Sequence, residues 1–340
     1  MLEFKYIQES SNLPDEWDML ADNYFQRKRF LLHSEKYNPC YQRYYLCSES
    51  GKLVAAAIVY SLRLDIFTFV KIKSPIKMNI IGIPCSVSSS GIFGNNNTIE
   101  DLKEYIYKIE HGFVISLNLI LKPLSTKFAS GKTLPTIILS NNYENWEEYL
   151  ASMRSNYRRR LKQINEPNSR LIFEKIPCSE FTTAMYQQYL SVFMRSNGKL
   201  EMLSFDFFKN LPEEFILKVC KIDEAIIGWN IALSSGNIYY FFLGGIDYKY
   251  NKIYNTYLRL LSSLIEDGIN KNAEIIELGQ TAEIAKMRMG GIAEARFMEA
   301  HHSNLLFHKV LKISSPMLSY KRKLENTKAF KDKPYENIND

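Results

Sequence analysis

The sequence predicts an α+β fold made of two copies of one unit, and three observations carry that prediction. Residues 44–60 (YYLCSESGKLVAAAIVY) read as a strand, a polar Glu-Ser-Gly-Lys turn and a second strand; residues 216–233 (ILKVCKIDEAIIGWNIAL) repeat that order with Asp223 and Glu224 at the turn. Each hairpin is preceded by a helical pattern and followed by further strand and helix patterns. The chain has 340 residues, room for two units at roughly 150 residues per domain, and a chain of that size buries enough surface to need no disulfide or metal staple.

The second half is the clearer one. Asn145 can cap a helix whose apolar residues Trp146, Tyr149, Leu150, Met153, Tyr157, Leu161 and Ile164 keep helical spacing, with Glu148 at the capping-box position and Pro167 ending it. A strand (170–176), a helix (180–195) and the second hairpin follow. Residues 238–243 form a wholly apolar and aromatic strand, of the kind buried on both faces, ending at Gly244-Gly245. A loop rich in Tyr, Lys and Asn leads to a helix at 255–270, with Leu260, Leu261, Leu264 and Ile265 on one face. Then come a strand (274–278), a turn at Gly279, a helix (281–289) stopped by Gly290-Gly291, and a strand (293–300). After Pro316 the pattern predicts a frayed or disordered end. The division expected is an N-terminal half at 1–140, a C-terminal half at 141–313 and a basic tail at 314–340.

Composition excludes several classes. Hydrophobic residues at 46% and charged residues at 24% are ordinary globular values, so disorder and low complexity are out. The longest apolar run, 113–121, is broken by Ser116 and Asn118, too short for a spanning helix. The opening MLEFKYIQES has no apolar segment after a basic one, and five cysteines in wide, odd spacing match neither a disulfide framework nor a metal site. A cytoplasmic location is therefore expected. The net charge is +6, and residues 309–333, with eight Lys or Arg against Glu325 and Asp332, account for a surplus of that size. A second basic feature is the stripe Arg154, Arg158 and Lys162 at i+4 spacing, widened by Arg159 and Arg160 with no acid from 150 to 165. It is either a solvated face or a surface for a polyanion such as tRNA or an acyl-carrier protein. The basic tail is compatible with contact to an anionic membrane surface.

A basic helix end (SNYRRRLKQ), a strand, a helix, a hairpin, an aromatic strand (IYYFFLGG), a loop, a helix (NTYLRLLSSLIEDGINKN) and a strand with turn (IIELGQTAEIAKMRMGG) together resemble a GNAT-type acyltransferase domain. More narrowly, the order is similar to the duplicated branch containing Fem-type aminoacyltransferases and acetyltransferase-like proteins of exopolysaccharide gene clusters. The resemblance covers about residues 145–300. It implies two tandem GNAT-like halves, each a mixed, mostly antiparallel central sheet flanked by helices, the first half degenerate and the second carrying an active cleft. It also implies that the strands at 225–233 and 238–243 splay apart, leaving backbone N–H groups free to polarise an ester or thioester carbonyl.

The candidate residues follow. Asn230, a lone amide in an apolar strand, is either at a bulge that frees such a group or at a wet strand edge. Glu277 lies on the strand face opposite Ile276 and Leu278 and is the first candidate for the base that an amine nucleophile requires; Asp247 is the second, with a local turn role as its alternative. Trp229 and Tyr240 are candidate substrate contacts. For the donor, the resemblance points to Leu243, Gly244, Lys249, Lys252, Asn255 and Thr256, near a helix N-terminus suited to phosphate. The stretch 249–256 (KYNKIYNT) has no glycine, so coenzyme A is doubtful as donor, and Asn251 or Asn255 would have to take the left-handed angles. Gln280, Thr281 and Lys286 follow on the turn, Lys286 as a ligand for an acceptor's carboxylate or phosphate and Thr281 most simply as a cap. His302, beside His301, is a candidate proton shuttle or a plain surface residue. Cys85, in the loop 82–94, has no sequence partner that would make it a nucleophile.

The function expected is an acyltransferase moving an acyl group from acyl-CoA or acyl-carrier protein to an amine of an amino sugar, amino acid or related metabolite, with no tightly bound cofactor and no metal. Transfer from aminoacyl-tRNA and a non-catalytic binding protein of GNAT-like fold are the alternatives. No DNA partner is expected.

Overall fold

The structure, a computed structural model, describes residues 1–65, 75–166, 168, 170–196, 200–324 and 327–331. It divides into two units: Met1–Pro135, Gly198–Phe207 and Ala295–Arg322 form the first, and Thr136–Asn197, Phe208–Glu294 and Lys323–Asp340 the second.

In the first unit the elements are β1 (Leu2–Ile7), α1 (Glu16–Leu20), α2 (Lys28–Tyr37), β2 (Arg43–Glu49), β3 (Lys52–Asp65), β4 (Pro75–Ile81), β5 (Ile92–Gly94), α3 (Asn96–Ile109), β6 (Phe113–Leu119) and the start of β7 (Ala129–Ser140). The first expected hairpin is present: Glu49 pairs with Lys52 across Ser50 and Gly51, both at positive φ, as a two-residue turn between twisted strands requires. β1, β2, β3 and β4 pair antiparallel in that order, and β4 pairs parallel with β6. The connection carries α3, whose Leu102 and Ile106 pack with Tyr45, Ala57 and Val59 in the core.

The second unit repeats this plan. Its elements are α4 (Trp146–Ser152), α5 (Ser155–Ile164), β8 (Leu171–Ile176), α6 (Thr183–Arg195), α7 (Phe205–Lys209), which begins in the first unit, β9 (Phe215–Ile222), β10 (Ala225–Ser235), β11 (Ile238–Ile246), α8 (Tyr248–Tyr254), α9 (Thr256–Asn270), β12 (Ile275–Gly279) and α10 (Glu283–Met287). Again three antiparallel pairings, β8 to β9, β9 to β10 and β10 to β11, precede one parallel pairing, β11 to β12. β7 then completes this sheet beside β12, and β13 (Ile292–His302) completes the first unit's sheet beside β6; α11 (Leu305–Leu318) follows it. The fold is thus α+β, each sheet mixed and mostly antiparallel, as the sequence predicts.

Two expectations change. The helix from Asn145 is two helices. Asn145 does cap, its side chain accepting from Glu148 N at 2.9 Å, but the chain turns extended at Met153 and Arg154, so Arg154 precedes α5 instead of belonging to a stripe along it. The reason is the tail, the second change: Arg154 N donates to Ala329 O at 2.9 Å and Met153 bridges Phe330, whose ring is buried against Tyr149 and Gly290. Residues 327–331 therefore pack into the second unit's core, and the apolar pair Ala329-Phe330 was the signal within the basic segment. Pro167 lies outside the described residues.

Phe330→Ala should lower stability by about 3 kcal/mol, the usual order for deleting a buried aromatic ring; chemical denaturation measures it, and an unchanged midpoint would contradict the packing of this strand.

Candidate functional site

β11 and β12 run side by side for three pairs only: Ile238 with Ile275, Tyr239 with Ile276, Tyr240 with Glu277. β11 continues to Ile246, and from Phe241 onward its edge away from β10 has no ladder partner in β12. Gly279 at φ +70 turns β12 aside, a backbone angle that a side chain would strain. A bulge lies in the same place: Ile231 faces Leu243 and Ala232 faces Phe241, so Phe242 is the extra residue.

This corrects the expected cleft. β10 and β11 do not splay; they are paired from Gly228 and Ile246 to Ser235 and Ile238. The strands that part are β11 and β12, because a parallel pair joined by a helix has no hairpin turn to hold its far end.

Beside the parting point lies Lys286. Its side chain is 1% exposed, Nζ stands 5.3 Å from the centre of the Phe241 ring, and it donates to Gln280 O at 2.6 Å. Burial pushes its pKa from 10.5 down to about 7, against the opposing pull of Glu283 and Glu277. Glu277 is half-buried on the face opposite buried Ile276 and Leu278, as alternation predicts. Glu283 is buried in α10, and the Tyr257 phenol is held above its ordinary value by burial first, then by Glu283 and Tyr248.

The stretch 249–256 also differs from expectation. It is largely helix α8, capped by Asp247 Oδ1 accepting from Lys249 N at 2.8 Å, and it ends at Asn255 in the left-handed region at φ 51. Asn255 does take the role that a glycine would otherwise fill. Asn251 Oδ1 accepts from Tyr257 N at 2.9 Å, so one N–H at the start of α9 is already used.

No protein-family model matches the chain, and no curated protein matches its sequence. Solved structures do match in fold. FemX superposes with a TM-score of 0.51 at 11% identity, covering 82% of this chain and 92% of that one. A tandem GNAT protein from the clavulanic acid biosynthesis pathway, solved without AcCoA, gives 0.50 at 8% identity over 89% of this chain and 99% of that one. The chain has the tandem GNAT fold.

Within that fold Glu277, Gln280 and Lys286 come together where the strands part. Thr281 does not cap α10: it is exposed at φ 61, and Ala282 at φ 49 precedes the helix without a side-chain cap. Asn230 is 2% exposed and donates to Leu260 O at 3.0 Å, tying β10 to α9. Trp229 is core, its indole N–H donating to Met185 O at 3.1 Å and its ring flanked by Phe181 and Phe208. Tyr240 is buried, Leu243 and Gly244 half-buried, Thr256 fully buried, and Lys249 and Lys252 exposed on α8. His302 belongs to the first unit, its Nδ1 accepting from Asn304 N at 2.9 Å. Cys85 is buried there too, and burial holds its thiol well above the usual range, which makes it unreactive.

In the basic stripe, Arg154 Nε donates to Phe330 O at 3.1 Å and Arg158 to Ala151 O at 3.2 Å, while Arg159, Arg160 and Lys162 stay exposed. Sequence reasoning missed a pocket of about 280 Å³ between α5, α9 and α10, with Leu161, Leu258 and Met289 in its wall and Arg160 and Arg288 beside them. Arg288 carries no motif signal. Only the folding of α10, which turns Lys286 inward and leaves Arg288 exposed, separates the roles of these two cations.

Because Lys286 has a lower pKa folded than unfolded, the unfolded chain holds the extra proton between about 7 and 10.5. Raising the pH through that window therefore favours the folded state, and below it the penalty is complete. Lys286→Met should remove this dependence, about 5 kcal/mol across the window. Denaturation midpoints of both proteins against pH test it; parallel curves would mean the amine is not buried.

Proposed function

We propose that the chain transfers an acyl group from a carrier-borne ester or thioester to an amine of an amino sugar, amino acid or related small molecule. The observation that carries this reading is the parting of β11 from β12 beside an amine whose pKa is about 7. A donor carbonyl lying along the free edge of β11 meets backbone N–H groups that can hold its developing oxyanion without reorganising. The attacking amine is protonated at neutral pH and must lose a proton to react. Glu277, half-buried at the opening, is the group that meets it, and the buried Lys286 amine, neutral above about pH 7, takes the proton on. Collapse of the tetrahedral adduct then expels the carrier thiol or alcohol.

The residues at the start of α9 do not fit a pyrophosphate cradle. The stretch is helical, it has no glycine, and Asn251 occupies the Tyr257 N–H. We therefore favour acyl-carrier protein over coenzyme A as the thioester donor, with Arg160 and Arg288 beside the pocket as partners for the phosphate of its arm. A second reading, aminoacyl transfer from tRNA, is favoured by the exposed Arg159, Arg160 and Lys162, and by the resemblance to Fem-type enzymes.

Release of free thiol from acyl-carrier protein or acyl-CoA in the presence of amine acceptors tests the first reading. The rate should rise through about pH 7, and Glu277→Gln or Lys286→Met should each lower kcat about 100-fold or more. Full turnover by the double variant would sink the mechanism, and no thiol release with any donor would leave a binding protein. For the second reading, charged tRNA should bind with an affinity that falls steeply with salt; no binding at low salt excludes it.

A further inference from the structure

Helix α11 is apolar on two sides. Leu311 is 5% exposed and anchors the helix against Ala129 and Ala300 in the first unit. On other faces Leu305, Leu306, Phe307, Val310 and Ile313 each expose more than half of their surface. Leu306, Val310 and Ile313 stand at i, i+4 and i+7, one continuous stripe. A helix apolar all round is normally covered, and a stripe like this one on a folded unit marks a contact surface.

The surface extends beyond the helix. The segment between β6 and β7 exposes Ile120, Leu121 and Leu124, each again by more than half. It is tied to α11 by His308 Nε2 with Lys127 O at 2.9 Å and by Lys312 Nζ donating to Thr126 O at 2.6 Å. Both segments carry exposed lysines, Lys122 between β6 and β7 and Lys309 and Lys312 on α11, and Lys321 follows the helix. No Asp or Glu occurs at 111–128 or at 300–324.

We propose that this face docks on an anionic lipid surface, the apolar stripe entering the headgroup boundary and the lysines meeting the lipid charges. The chemistry is that of an interfacial amphipathic helix, in which buried apolar area and attraction to anionic lipid act together. A second copy of this chain fits poorly. A two-fold contact would set the same lysine-bearing patch, where Glu104 pairs with Lys127, against itself and bring the remaining like charges together, whereas anionic headgroups supply the countercharge. Among the described residues no helix is long and apolar enough to cross a membrane.

The test is flotation of the full chain with vesicles, a readout independent of any turnover. Vesicles of equal parts phosphatidylcholine and phosphatidylglycerol should carry the protein, and phosphatidylcholine alone should bind it about tenfold less or weaker. Replacing the stripe (Leu306→Ser, Val310→Ser, Ile313→Ser) should cut binding to the mixed vesicles about tenfold or more with an unchanged melting temperature, since these side chains are exposed. Lys309→Glu with Lys321→Glu should do the same, and added salt should weaken the wild type. The proposal is overturned if the wild type does not float with anionic vesicles, if neither variant changes its binding, or if the wild type is a dimer that the stripe replacement makes monomeric.

Discussion

The site exists because the ladder between β11 and β12 stops after three pairs. Had it continued, the N–H groups on that edge of β11 would be bonded to β12. Leaving a buried backbone group unpaired costs about 1–3 kcal/mol, so a gap in the middle of a sheet persists only where neighbouring structure imposes it. Here the left-handed turn at Gly279 carries β12 away, and the Phe242 bulge bends β11 at the same level. The two irregularities fall on opposite sides of one opening, as a sheet needs in order to divide without fraying.

What fills the space behind that opening is a strained turn and a short helix. Thr281 and Ala282 both take left-handed angles, at φ 61 and 49, an arrangement that costs about 1–2 kcal/mol per residue without glycine. That strain aims α10, which has only five residues and could not hold its own direction in isolation. Its inward face carries Glu283, Lys286 and Met287, all buried, and its outward face carries exposed Ile284, with Arg288 exposed just past its end. The backbone cost at Thr281 and Ala282 and the charge cost of burying Lys286 therefore belong to one device: the first fixes where the amine points, and the second sets its proton affinity.

Much of the fold was legible before folding, because hairpins and amphipathic helices are local. Ser50-Gly51 and Asp223-Glu224 mark their turns, and Asn145 caps the helix it precedes. The grouping of Glu277 with Lys286 was also within reach, since the turn joining them is only a few residues long. What sequence could not show was decided over distance. The break between α4 and α5 depends on Phe330, far along the chain. Which strand pair parts depends on register, and register is a property of partners: a polar residue such as Asn230 looks like a cleft residue until its amide is seen holding Leu260 O. The helical course of α8 was hidden for another reason. Tyr and Asn are indifferent helix formers, and the Asn251 side chain, which accepts from Tyr257 N at the start of α9, turns a loop-like composition into an ordered joint.

The duplication makes the contrast between the units instructive. In the first unit β4 and β6 are the parallel pair that corresponds to β11 and β12, joined over Met78–Ile81 and Phe113–Ser116. After Ile81, however, the chain turns back on itself. Gly82 N donates to Ile58 O at 3.1 Å, Gly91 O accepts from Ile58 N at 2.7 Å, and a Cβ on Gly91 would lie 2.3 Å from Gly82 Cα, so the two backbone segments touch without room for a side chain. β5 then takes up the remaining edge of β3, and Asn118, near the end of β6, donates its amide to Val87 O at 2.8 Å. β11 runs along β10 as one strand to Ile246, whereas in the first unit the pairing along β3 passes from β4 to β5 with the folded-back loop between them. The repeated sheet plan thus differs at one point: a single strand, β11, does in the second unit what two strands and a loop do in the first.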